Sequence, residues 1–425
     1  RHYDQQVRER QAVDTGTLLE AVRLYREATE ADPTSALAHS RLASALLYLG
    51  DIDAAEAPIF KALSLDPNLS EVQNTLGEFY WARGMPEAIT AFERAVELNP
   101  HNPDALTNFA NARQLGYVAF ENDLAEFYRR ALEFDPLSLS RHAALGEFLG
   151  KFGRVDEVRP VIERIERLFD DAASYRAIAW LKELIGELDQ AIGWTIRARD
   201  LEPDNRDHVE KLANLYATIG DFDTALALEP EPGIGLLFQM RRYDELIDTA
   251  EFLMIEYPED INIRYLLAFA YQATGQFESA IHILGSTGLM DANQGQDARS
   301  VADIEAMFTL MNALSGVGES DTAALAHSIA EWSYSGPWWG DIYWQALYKG
   351  CVIAILDRDE EALQLLVRMK ETSRLPRDPE LRDQYCLQRY ADEPVYKDIL
   401  DHFEQLRAAL RASLPATLAE FGVKL

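Results

Sequence analysis

An acidic or amide residue followed by proline closes a helical run five times in the first half of this chain. The pairs are Asp32-Pro33, Asp66-Pro67, Asn99-Pro100, Asp135-Pro136 and Glu202-Pro203. The prolines stand 34, 33, 36 and 67 residues apart, the last interval being two periods with one marker lost near Phe169-Asp170. Gly50, Gly84, Gly153, Gly186 and Gly220 keep the same beat between helical runs. Proline cannot continue a helix and pushes the residue before it into an extended conformation, while glycine takes the left-handed position that ends many helices. Punctuation at this period makes the chain a repeat array, in which each unit buries its apolar face against the next, rather than two or three separate globular domains.

The runs between the markers carry a helical period. In "GMPEAITAFERAVELNP", Ala88, Phe92, Ala95 and Val96 fall at i, i+4, i+7 and i+8, on one face of a helix. In "VQNTLGEFYWARG", Leu76, Gly77 and Tyr80 do the same for the helix before it. Gly77 and Ala95 let two antiparallel helices approach closely, and Leu76, Tyr80 and Phe92 fill the space around that contact. With 48% hydrophobic residues the chain has ample material for a packed core.

A helix–turn–helix of this length, with Leu-Gly and Tyr in its first helix, Ala, Phe and Ala in its second and a closing Pro, resembles the tetratricopeptide repeat. Leu76, Gly77, Tyr80, Gly84, Ala88, Phe92, Ala95 and Pro100 carry the resemblance in one unit. Leu42, Ala43, Gly50, Ala55, Ala62 and Pro67 carry it in the unit before, and Ile178, Ala179, Gly186, Ala191, Ala198 and Pro203 in a later one. The first unit keeps Ala21, Tyr25, Ala28 and Pro33. The resemblance implies an all-α superhelix (an α-solenoid), regular over residues 1–230. "LALEPEPGIG" at 226–235 then truncates a helix and inserts turn residues. Degenerate helix pairs are expected over 231–375 and C-terminal capping helices over 376–425. The opening and the phrase "RYADEPVYKDILDHFEQLRAALRASL" are also similar to the C-terminal tetratricopeptide region of bacterial winged-helix or nucleotide-cyclase regulators. That second resemblance implies a ligand-sensing regulatory domain as the alternative to a scaffold.

The balance of 71 acids against 40 bases, a net charge of −31, repels a phosphate backbone and disfavours nucleic acid as a partner. No run of about 18 apolar residues is present, so no membrane insertion is expected. The chain starts at Arg1 rather than Met, which reads as a piece of a longer product. No targeting segment fixes a compartment, the cytoplasm being slightly favoured over the periplasm. Cys351 and Cys386, outside any CxxC or Cys/His cluster, read as two buried thiols.

In the family that the repeat resembles, the first helix of each pair lines the concave groove where ligands lie. Carried over residue by residue, this implies Glu71, Asn74, Glu78 and Trp81 in one unit and Asp104, Thr107, Asn111 and Gln114 in the next. Arg176, Trp180 and Glu183 follow, then Asp207, Glu210 and Asn214. Asn side chains can bond a peptide backbone whatever its sequence, and Trp81 and Trp180 supply anchoring area. The members that clamp a C-terminal carboxylate carry Lys, Asn and Arg at fixed groove positions. Here those positions hold Ser40, Asn74 and Thr107, so binding to such a tail is not expected; the groove as read is polar and acidic, which suits a basic or neutral protein segment. A dense aromatic stretch, with Trp332, Tyr334, Trp338, Trp339, Tyr343 and Trp344, reads either as a packing seam or as a pocket. Gly233 and Gly235 lack the Lys-Ser/Thr of a phosphate loop, the eight His form no HExxH pair, and Ser335 follows no strand. No cofactor, metal or catalytic site is therefore expected, and the leading reading is a non-catalytic adaptor.

Overall fold

The computed structural model describes residues 15–115, 124–258, 260–285, 301–317, 345–372 and 374–423, with 324, 327 and 330. Among these the chain is all-α, an α-solenoid of helix–turn–helix pairs with no strand. The helices run α1 (Thr15–Ala31), α2 (Ala36–Tyr48), α3 (Ile52–Leu65), α4 (Ser70–Ala82), α5 (Glu87–Leu98), α6 (Pro103–Leu115), α7 (Ala125–Phe134), α8 (Leu139–Lys151) and α9 (Val155–Leu168). They continue through α10 (Ala172–Leu184), α11 (Leu188–Leu201), α12 (Arg206–Thr218), α13 (Phe222–Leu228), α14 (Ile234–Gln239), α15 (Tyr243–Glu256), α16 (Ile261–Ala273), α17 (Phe277–Gly285) and α18 (Val301–Val317). After a π turn at Gln345–Lys349 come α19 (Gly350–Ile355), α20 (Asp359–Val367), a 3-10 turn at Arg368–Glu371, α21 (Asp378–Arg382), α22 (Tyr385–Gln388) and α23 (Pro394–Glu420). Two compact units result, the first Arg1–Leu149 with Asp156–Ala177, the second Gly150–Val155 with Ile178–Leu425.

In the first unit the markers do what their chemistry requires. Asp66 and Asn99 cap their helices in extended conformations, at φ −147° and −141°, ahead of their prolines. Gly84 takes φ 66°, and the pair Gly84 N–H to Trp81 O and Met85 N–H to Tyr80 O, each 2.8 Å, closes α4 as a left-handed cap. Helices α4 and α5 meet where Gly77 faces the Phe92 ring. A Cβ on Gly77 would sit 2.5 and 2.6 Å from two ring carbons, inside any tolerated contact. Gly77→Ala should therefore lower stability by about 1–3 kcal/mol, read as a lower denaturant midpoint at unchanged slope. An unchanged midpoint would show that the helix pair opens without cost.

The second unit is looser in pattern. Helix α13 has seven residues and α14 six, the truncation that "LALEPEPGIG" implies. Arg241 (φ 59°) and Asp357 (φ 57°) take left-handed positions at helix ends where the first unit uses glycine. Each has a polar anchor, Arg241 on Asp383 at 2.6 Å and Asp357 on Arg389 at 3.3 Å. Helix α23, 27 residues long, does more than cover the last pair. It packs on α20 and also returns to α11, where Thr417 Oγ1 bonds Asp189 at 2.7 Å and Phe421 meets Trp194 edge-on at 5.4 Å. Arg197 lies against both rings, 4.9 Å from the Trp194 centroid and 4.8 Å from that of Phe421.

The reading of Cys351 and Cys386 as free thiols needs correcting. Both are buried, as expected, but α19 and α22 bring their Cα atoms to 5.5 Å and the two are joined in a disulfide. Sequence spacing carried no sign of this, because the intervening helix folds back on α19.

Candidate functional site

The helices that open successive pairs in the first unit are α2, α4, α6 and α8, and side chains bond across all four. Ser44 on α2 donates to Glu78 Oε2 on α4 at 3.0 Å. Asn74 Nδ2 donates to Glu78 Oε1 at 2.9 Å, one turn away on the same helix. From α6, Asn108 Nδ2 reaches both Asn74 Oδ1 and Glu78 Oε1 at 3.1 Å. Arg141 on α8 pairs with Asp104 on α6 at 2.8 Å. The result is one polar strip along four helices, built on a period near 34 residues.

Glu78 is its centre and is only 6% exposed. Burial pushes its carboxyl up from 4.5 to about 7, and the charge of Asp104 pushes the same way. The donors Ser44, Asn74 and Asn108 oppose the rise without cancelling it. Near neutral pH the strip therefore holds a carboxyl poised between its two forms, which an arriving cation would ionise.

Asn74 and Glu78, expected to face a partner, are thus buried and bonded within the strip. Trp81 is half-buried, 6.5 Å from the Phe92 ring. Asn111, also half-buried, accepts a bond from Tyr128 OH at 2.7 Å. Thr107 turns back to Pro103 O of its own helix at 2.9 Å. Gln114 stands on α6, its side chain outside the described residues. Arg176 is half-buried on α10. In the second unit Trp180 receives Lys211 Nζ at 5.4 Å from its ring centroid, and Asn214 Oδ1 accepts from Gln239 Nε2 at 2.9 Å. The aromatic set Trp332, Tyr334, Trp338, Trp339, Tyr343 and Trp344 lies outside the described residues.

Ser44, Asn108 and Arg141 belong to the strip and were not singled out by sequence. The 33-residue step from Pro67 to Pro100 leads from Asn74 to Thr107; the packed helices bring Asn108 instead, one residue on. The identical residue 34 positions after Asn74 was the available signal. Among the described residues no group of three or more His, Cys, Asp or Glu is placed to hold a metal, and no helix is long and apolar enough to cross a membrane.

Helix pairs stacked through a shared polar strip define a helical-repeat protein, a class whose fold is typical of protein–protein interaction scaffolds. The family comparison agrees over the first repeats: the tetratricopeptide repeat model matches residues 12–79 of this chain. The chain is similar to human DnaJ homolog subfamily C member 3, at 23% identity over 56% of this chain and 45% of that protein. It is also similar to human protein O-mannosyl-transferase TMTC1, at 27% identity over 42% of this chain and 20% of that protein. The chain spans less than half the length of these curated relatives. Among solved structures, a thermophilic tetratricopeptide-repeat protein of Thermus thermophilus aligns with TM-score 0.34 and 26% identity, over 47% of this chain and 98% of its own. Yeast Tom70 aligns with TM-score 0.39 and 14% identity, over 99% and 98%.

Proposed function

We propose that this chain is a non-catalytic scaffold whose first unit holds an extended segment of a partner protein along the opening helices of its pairs. The observation that supports this is the polar strip made by the Ser44, Glu78, Asn74 and Asn108 network and the neighbouring Asp104–Arg141 pair. Two carboxyl groups share that strip, and Glu78 is held partly neutral at physiological pH. A basic or neutral partner segment suits it, because a cation beside Glu78 would offset the burial that now disfavours its charge. Trp81 and Asn111, both half-buried, leave surface to meet a partner.

The test is affinity capture from a lysate of the source organism, with a Trp81→Ala, Asn111→Ala variant beside the parent chain. A protein retained by the parent and lost from the variant, at equal melting temperature, is the expected result. Retention of the same proteins by both baits would overturn the reading of the strip.

A further inference from the structure

In the second unit the helices that open successive pairs are already covered, and the cover is the chain's own segment from Arg374 to Cys386. The segment leaves the 3-10 turn extended, at φ −85°, ψ 144° for Thr372 and φ −66°, ψ 132° for Arg377, and then makes the single turn of α21. It crosses α12, α14, α16 and α18 in order. Beside α12, Arg374, Leu375 and Arg377 wall a cavity of about 370 Å³ whose other side includes Asn214 and Thr218. At α14 the Arg377 guanidinium stands 5.3 Å from the centroid of the Phe238 ring. At α16, Gln272 Nε2 donates to the main-chain oxygen of Asp383 at 3.4 Å. At α18, Asn312 Oδ1 accepts the Cys386 N–H at 3.0 Å, and its amide donates to Gln384 Oε1 at 3.1 Å.

Amide side chains on these helices, Asn214, Gln239, Gln272 and Asn312, thus line the path, and two of them bond the segment's main chain. Bonds of this kind set a peptide's path and register, and contacts to its side chains choose its sequence. The rest of the hold comes from charged side chains. Asp383, buried, accepts from Nε and Nη2 of Arg241 at 2.6 Å each. Arg407 of α23 donates to Thr218 O at 3.2 Å and to Pro376 O at 2.8 Å, tying the segment to the end of α12.

We propose that this face of the second unit is a peptide-binding surface occupied in cis, and that a partner segment of the same chemistry displaces residues 374–386 from it. That chemistry is an extended Arg-Leu-Pro-Arg followed by an Asp-Pro-Glu turn and a further Asp. Tethering gives the internal segment an effective concentration in the millimolar range, so a partner competes at an apparent affinity reduced by the fraction of time the face is open. The inference does not depend on what the first unit binds.

The experiment uses the full chain and a labelled synthetic peptide with the sequence of residues 374–385. An Asp383→Asn, Arg407→Gln variant releases the internal segment at two of its ties. Fluorescence anisotropy should show the variant binding the peptide roughly tenfold or more tightly than the parent chain, with a scrambled peptide binding neither. A variant with parental circular dichroism that binds no better than the parent would sink the proposal. Should the variant fail to fold, hydrogen exchange of the parent chain decides. Excess peptide, but not its scrambled form, should speed exchange at the Cys386 amide and its neighbours. Unchanged exchange would mean that the segment is a fixed part of the core.

Discussion

Glu78→Gln is expected to abolish most of the decline in stability expected of the parent chain between pH 4.5 and about 7. The folded state raises the Glu78 carboxyl from 4.5 to about 7, so it prefers the protonated form. A group raised in this way contributes its full stability below its unfolded value and loses it as pH climbs through the folded one. At 1.36 kcal/mol for each tenfold change in proton affinity, the difference is about 3 kcal/mol. Glutamine keeps the acceptor for Asn74 and Asn108, presents an NH₂ to Ser44, and carries no charge to bury. Denaturant midpoints at pH 5 and pH 8 should differ clearly for the parent and little for the variant. Equal slopes with pH in both would place the titrating group elsewhere. A basic partner segment would reverse the balance, so its affinity for the first unit should rise from pH 6 to pH 8.

Removing the disulfide should cost the second unit about as much. Cys351 and Cys386 close a loop of 35 residues, and the chain-entropy estimate for such a loop is about 4 kcal/mol. A Cys351→Ala, Cys386→Ala chain, and the parent chain in reductant, should both unfold at lower denaturant by that margin. Identical unfolding with and without reductant would show that the bond adds nothing to the folded state. The loop contains Arg374 to Gln384, so the bond also limits how far the internal segment can swing from α18.

The first unit was legible because its constraints are local. A left-handed position at Gly84, an extended cap at Asp66 and the small Gly77 opposite Phe92 each need a particular residue type, and they recur at one period. The second unit keeps glycine at Gly186, Gly220 and Gly275 but elsewhere satisfies the same geometry with residues that carry no such signature. Arg241 and Asp357 hold left-handed backbone through ion pairs made to Asp383 and Arg389, 142 and 32 residues away, and a reading by glycine passes over both. The strip was found at Asn74 and Glu78 but lost at Thr107, since a one-residue stagger between helices leaves no trace in the spacing of prolines. The passage of residues 374–386 across four helices could not be read at all. Its partners lie far along the chain, and its own sequence looks like a loop with two prolines.

The return of α23 to α11 has a consequence for the order of assembly. Ser413 and Thr417 reach Asp189 across 224 and 228 positions. The first unit joins residues about 34 apart, so each pair can dock as soon as the next has emerged, and folding spreads along it. The second unit cannot finish this way. At 5–20 residues per second, on the order of ten to fifty seconds separate the synthesis of Asp189 from that of Thr417. Throughout that interval the face of α11 around Gly193 and Trp194 lacks the Phe421 ring that covers it in the folded chain. A nascent chain therefore carries an apolar face at the opening of its second unit that is open to wrong association until α23 has left the ribosome.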